Sequence, residues 1–214
     1  MTKTLRLPFL VLALICGSAA TRADSNTDDV QTILFYGDSL TAGYGLNDPT
    51  VTAFPALIGD KLADAGLPYR IVNAGLSGET SSGGLRRINW VMRQPVDIFV
   101  LELGANDGLR GLPLDLLEAN LQKIIDRVRA KNPNVQLVIA GMQMPTSMGD
   151  YAKDFAAIFP RLAEANDATL IPFLLDGVGG VAELNQADAI HPNSAGHRIV
   201  AETVWTHLAP LVSP

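Results

Sequence analysis

Ser39 stands in the run Phe35-Tyr36-Gly37-Asp38-Ser39-Leu40, directly after an apolar, β-prone stretch. A serine hydroxyl is a poor nucleophile until a base takes its proton. A strand-to-helix turn exposes that oxygen and aims the following backbone N–H groups at the same point. Alone, the tripeptide reads equally well as a helix cap supplied by Asp38 or Ser39. A second cluster, Asp188-Ala189-Ile190-His191-Pro192, shifts the balance. Imidazole can serve as a general base near neutral pH, and a carboxylate on its far nitrogen fixes the tautomer and stabilises the imidazolium. Asp188 and His191 are close enough in one loop to reach each other, and Pro192 stiffens it. The competing reading is a solvated loop histidine, which describes His197 and His207 in the last helical segment better. A metal site at Asp188, His191 and His197 is another reading of this loop, but no third histidine or acid stands at obvious ligand spacing.

Acyl transfer through a serine also needs donors for the oxyanion of its transition state. Gly75, in Asn73-Ala74-Gly75-Leu76, offers a backbone N–H where a side chain would block approach. Asn106, in Gly104-Ala105-Asn106-Asp107, offers its side-chain amide, and Ser39 its own N–H. A turn glycine and a loop-forming asparagine are the commoner fates of such residues, and both readings stand at this point.

These residues have to be brought together by the elements between them. Short apolar or β-branched runs alternate with longer segments of helical period, which predicts an α/β fold with a mainly parallel, five-stranded sheet. The expected strands are Thr32–Tyr36, Tyr69–Asn73, Asp97–Leu101, Val135–Ala140 and Ala168–Pro172. The expected helices are Ala53–Ala65, Pro113–Lys131, Asp150–Asn166 and Ser194–Leu208. In the first of them Phe54, Leu57, Ile58 and Leu62 form one apolar stripe, as do Leu117, Leu121, Ile124, Ile125 and Val128 in the second. The clusters at Ser39, Gly75 and Asn106 each follow a strand. In open parallel sheets ligands sit beyond the carboxyl ends of the strands, so the three clusters are expected at one edge.

The amino terminus reads as an export signal: Lys3 and Arg6, the apolar run Leu7–Cys16, then Gly17, Ser18, Ala19 and Ala20. Residues 1–23 are therefore expected to be a signal peptide, 24–31 a short polar lead-in and 32–214 the folded domain, with cleavage after Ala20 or Ala23. The apolar run is short for a bilayer span of roughly 20 residues, and Ile15 before Cys16 is not the small residue of a lipoprotein signal. Cutting after Ala23 removes Lys3, Arg6 and Arg22 and no acid, leaving 13 basic against 22 acidic residues, so the formal charge moves from −6 to −9. Such a surface does not attract nucleic acid or an anionic membrane. Cys16 is the only cysteine, so the mature chain would hold no thiol nucleophile, disulfide or Cys-ligated zinc.

The four blocks Gly37-Asp38-Ser39-Leu40, Asn73-Ala74-Gly75-Leu76-Ser77-Gly78-Glu79-Thr80, Gly104-Ala105-Asn106-Asp107 and Asp188-Ala189-Ile190-His191-Pro192 occur in the order of the GDSL/SGNH hydrolase family, which the chain resembles from about Thr32 onward. It looks most like the TesA-type bacterial branch, whose members are known as thioesterase I, lysophospholipase L1 and arylesterase. The resemblance implies a flavodoxin-like three-layer α/β/α sandwich and a Ser39–His191–Asp188 triad. Its implied oxyanion hole is Ser39, Gly75 and Asn106, with no cofactor. The implied substrates are small acyl esters, thioesters or lysophospholipids, met in the periplasm or outside the cell. In that branch the loop after the fourth strand lines the acyl pocket. Here it contains Met142, Met144 and Pro145, and methionines give an adaptable apolar surface unless they are simply buried. Leu76, Leu109 and Phe173-Leu174-Leu175 would extend that surface. A carbohydrate acetylesterase is the rival enzyme, disfavoured by few aromatics and aliphatic loops. A non-catalytic binding protein on the same fold is the rival from another class.

Overall fold

The computed structural model describes residues 1–2 and 30–212. Nearly all of the expected signal peptide, Cys16 and most of the lead-in lie outside them. Five strands run in parallel: β1 (Gln31–Gly37), β2 (Tyr69–Asn73), β3 (Ile98–Glu102), β4 (Gln136–Ala140) and β5 (Thr169–Ile171), in the spatial order β2-β1-β3-β4-β5. The order reverses at β1, whose two neighbours β2 and β3 both follow it in sequence. A crevice opens at such a switch point.

Three short helical segments follow strands or lead into longer helices: α1 (Ser39–Ala42), α2 (Pro49–Thr52) and α5 (Ala105–Leu109). The longer helices are α3 (Phe54–Asp64), α4 (Ser81–Val91), α6 (Leu114–Lys131), α7 (Asp150–Ala165) and α8 (Ser194–Leu208). Successive side chains on β1 show which face each helix covers, because they point to opposite sides of the sheet. Phe35 meets Phe54 of α3 edge to face, with ring centroids 5.5 Å apart. Tyr36 points the other way and donates to the Gly84 carbonyl of α4 at 2.6 Å. Helices α3 and α8 pack together on the first side, while α4, α6 and α7 form a layer on the second. The three layers are those expected. β1, β3 and β4 are almost wholly buried, which is why they read as continuous apolar runs.

Every expected strand and helix is present, with no end moved by more than one residue. One long element was not expected. Helix α4 begins Ser81-Ser82-Gly83-Gly84, residues of low helix propensity, so local sequence gives little sign of it. Tertiary contacts hold it instead. Thr80 caps it, and Asp107 accepts from both the N–H and the hydroxyl of Ser81 at 2.8 and 2.6 Å. Asn120 of α6 donates to Ser81 and Ser82 at 3.1 and 2.9 Å. Gly84 lets α4 lie close to the sheet: a Cβ there would come within 2.5 Å of a Leu103 methyl and 3.3 Å of the Tyr36 ring.

Replacing Gly84 by valine should lower the free energy of unfolding by about 1–3 kcal/mol, the usual cost of overpacking, as measured by urea denaturation. An unchanged midpoint would mean that α4 does not depend on this close approach.

Candidate active site

β1 ends at Gly37, which pairs with Glu102 at the end of β3. Gly37 is required by what lies beside it, since a Cβ would sit 2.1 Å from the Thr41 hydroxyl and 2.3 Å from Glu102 Oε2. That carboxyl oxygen gathers the turn after the strand. It accepts from the Asp38 N–H at 3.1 Å, the Thr41 N–H at 3.3 Å and the Thr41 hydroxyl at 2.7 Å. Asp38 caps α1 by accepting from the Leu40 N–H at 3.0 Å, which leaves Ser39 as the first helical residue.

The histidine comes from the other end of the chain. Asn185 and Pro192 form an antiparallel bridge that closes a loop, and inside it Asp188 Oδ1 accepts from the N–H groups of Ile190 and His191, both at 3.1 Å. Ala189 between them adopts φ +60°. His191 Nδ1 lies 2.7 Å from Asp188 Oδ2, and His191 Nε2 lies 2.8 Å from Ser39 Oγ. An ionised carboxylate can only accept, so Nδ1 carries the proton and Nε2 is left to accept from the serine hydroxyl. Burial raises the Asp188 carboxyl, but the hydrogen bonds from the His191 ring and the two backbone N–H groups outweigh it, and the group lies below its ordinary value. The Tyr44 ring lies against the imidazole, with centroids 4.8 Å apart.

His197 is elsewhere. It is buried, stacks on Phe54 and accepts from the Phe54 N–H through Nδ1 at 3.2 Å. Burial, with a smaller contribution from His191, lowers it to about 4, so it is a neutral packing residue. The metal reading of Asp188, His191 and His197 therefore fails on His197, whose Nδ1 lone pair is already engaged. Among the described residues no group of three or more His, Cys, Asp and Glu could hold a metal ion.

Asn106 reaches the site from α5 and donates one amide hydrogen to Asp38 Oδ2 at 3.0 Å, while the second has no partner among the described residues. The Ser39 N–H has no partner among the described residues. Gly75 departs from expectation. Its N–H donates to Asn73 Oδ1 at 2.9 Å, so it is not free to meet an oxyanion in this arrangement. A side chain at Gly75 would strike the backbone of Thr41 and Ala42, within 2.2 Å of the Ala42 nitrogen, so the glycine is needed for that close approach. In the same turn the N–H groups of Ser77 and Gly78 have no partner among the described residues.

A cavity of about 470 Å³ opens beside Ser39 and His191. Met142, Met144 and Pro145 form one wall, and Leu109, Phe173 and Leu175 extend the apolar lining. Met142 and Met144 are at once buried in the core and part of the wall, so the two sequence readings of them are not alternatives. Leu76 is half-exposed and outside the cavity wall, and Leu174 is wholly buried in the core. The apolar surface does not include either of them. Sequence reasoning did not single out Tyr44, Glu102, Asn185 or Gln186. Tyr44 lies four residues beyond the opening block, and Glu102 is an acid directly after the expected third strand.

Comparison with known proteins fits this geometry. The model of the GDSL-like Lipase/Acylhydrolase family matches residues 35–199. Esterase TesA of Pseudomonas aeruginosa is 41% identical, covering 85% of this chain and 90% of that protein. Thioesterase 1/protease 1/lysophospholipase L1 of Escherichia coli is 36% identical over 97% and 93%. The crystal structure of TesA superposes with a TM-score of 0.80 at 40% identity, covering 85% of this chain and all of that one.

Glu102 and Asp38 are two acids buried side by side. Burial raises Asp38 from 3.8 to about 6, and burial together with the neighbouring Asp38 raises Glu102 well above 4.5. Acids that bind protons more tightly when folded favour the fold fully below their unfolded values; that contribution is lost as pH rises through the folded ones. For Asp38 the loss runs from near 3.8 to about 6, and for Glu102 it lies higher. Glu102→Gln removes the second proton-binding group. Its melting temperature relative to wild type should therefore rise with pH above the ordinary glutamate range near 4.5. A difference that stays constant with pH would show that Glu102 does not titrate upward.

Proposed function

Since this chain belongs to the GDSL-like lipase/acylhydrolase family and is an ester hydrolase, we propose that it works through an acyl-enzyme on Ser39, with His191 as general base and Asp188 as its orienting carboxylate. The observation that carries this reading is the continuous hydrogen-bonded chain Ser39 Oγ–His191 Nε2, 2.8 Å, and His191 Nδ1–Asp188 Oδ2, 2.7 Å.

In the acylation step His191 takes the Ser39 proton as Oγ attacks the acyl carbonyl, and the carbonyl oxygen becomes an oxyanion. The Ser39 N–H and the second amide hydrogen of Asn106 would meet it, with a third donor from the Gly75–Gly78 turn. Gly75 itself would first have to give up its bond to Asn73. The protonated His191 then delivers its proton to the departing alcohol or thiol. Water repeats the sequence against the acyl-enzyme and restores Ser39. Every proton and developing charge has a partner in the chain, so the steps need no cofactor.

The apolar cavity favours an acyl chain over a sugar. Flexible Met142 and Met144 side chains tolerate chains of different lengths, which supports broad activity on acyl esters, thioesters and lysophospholipids. The names of the two relatives, an esterase and a thioesterase/lysophospholipase, point the same way. We also infer from the amino-terminal pattern that the chain is exported before it acts.

With p-nitrophenyl esters of increasing acyl length, the exported form should hydrolyse medium chains, and Ser39→Ala should remain folded while kcat falls by roughly 10⁴-fold or more. Retained activity in that variant would remove Ser39 as nucleophile. A strong preference for an acetylated sugar would replace the acyl substrate class.

A further inference from the structure

We propose that Gln186 is a positioning residue whose side-chain amide couples the loop carrying Asp188 and His191 to the turn carrying Ser39. This inference rests on the triad proposed above.

The Ser39 turn and the His191 loop belong to opposite ends of the chain. The side-chain hydrogen bonds at the loop's base are local. Asn185 donates to the carbonyls of Val178 and Val181 at 2.7 and 2.8 Å, and Asn193 donates to those of Glu183 and Asn185 at 2.8 and 3.3 Å. None of these reaches the nucleophile. Gln186 does. Its Nε2 donates to the Tyr44 carbonyl at 2.6 Å and to the Pro192 carbonyl at 3.0 Å. The Tyr44 N–H in turn donates to the Ser39 carbonyl at 3.0 Å, and the Gln186 N–H donates to the His191 carbonyl at 2.8 Å. The result is a closed circuit from Ser39 through Tyr44, Gln186 and His191 back to Ser39 Oγ.

Three features support a role in alignment rather than in folding. First, two carbonyls face the same side-chain atom, so that atom must be the amide nitrogen. Second, Gly45 has no side chain where the amide sits, and a Cβ there would come within 2.0 Å of Gln186 Oε1. Third, the tie is partly exposed, with Tyr44 half-exposed beside it. A hydrogen bond open to water adds little to global stability, whereas a shift of about 1 Å between reacting groups can cost about a hundredfold in rate. Loss of the Gln186 side chain leaves the loop's own backbone bonds and the Asp188 turn intact. What it removes is the tie across the two segments.

The test is Gln186→Met, which keeps the length and bulk of the side chain and deletes the donor. Its kcat on a medium-chain p-nitrophenyl ester should fall about tenfold to a hundredfold, with KM within about twofold and the melting temperature within a few degrees. Inactivation by an aryl alkylphosphonate, which reports serine attack without turnover, should slow by a similar factor. Gln186→Asn, too short to span both carbonyls, should behave alike. A kcat within about twofold of wild type, or a loss that appears wholly in KM, overturns the proposal, as would a fall in activity that merely tracks the unfolded fraction. Ser39→Ala in the same series separates the two readings. If it is inactive while Gln186→Met is normal, only the role of Gln186 fails. If Ser39→Ala is active, the triad itself fails.

Discussion

Ser39 and His191 lie 152 positions apart in the chain, yet their side chains are 2.8 Å apart. Local structure cannot close such a gap. The parallel sheet does so by placing the ends of β1, β2 and β3 at one edge, with the His191 loop folded back over them. The bond demands more than proximity, since the serine hydroxyl and the imidazole lone pair must meet in a narrow range of distance and direction. Much of the polar structure near the sheet edge can be understood as a means of holding that geometry.

The most buried part of this support is acidic. Glu102 lies in the middle strand β3, and its Oε2 takes three donors from the turn that contains Ser39. Its other oxygen is buried with no partner among the described residues, a state that costs about 1–3 kcal/mol for a polar group. Neighbouring Asp38 caps α1 and holds Asn106. Burial raises both carboxyls, and neighbouring Asp38 raises Glu102 further because two like charges in one dry site repel. The same carboxyls therefore shape the turn that carries Ser39 and hold the Asn106 amide, the proposed oxyanion donor.

A second layer of support lies outside the first. Asp107, adjacent to Asn106, binds Ser81 of α4, and Asn120 of α6 joins the same cluster. On the opposite side the Tyr44 ring lies against the histidine and Gln186 ties the Tyr44 carbonyl to the histidine loop. Asn106 and His191 are thus both approached by side chains from elements remote in sequence. Where it is buried, at Asp107, Ser81 and Asn120, such a network restricts its members to one arrangement when all are satisfied.

The order of strands and helices was legible in the residues themselves, because burial on both faces writes continuous apolar runs and burial on one face writes a helical stripe. Ser39, Asn106, Asp188 and His191 could be singled out as candidates because few residue types can serve as nucleophile, donor, base or carboxylate, and each stood after a strand or in a loop. Helix α4 was hidden because its Ser-Ser-Gly-Gly start is stabilised by Asp107 and Asn120 rather than by propensity. Competition for partners decided what the pattern left open. The Gly75 N–H went to Asn73, His197 turned to Phe54, and Leu76 fell outside the cavity while Met142 and Met144 entered its wall. Glu102 and Gln186 carried no signal, since an acid in a strand and an amide in a loop acquire meaning only from what lies opposite them. Residue type and spacing name the groups able to react, but hydrogen bonds are shared among atoms far apart in sequence, and only the folded chain settles which donor remains free.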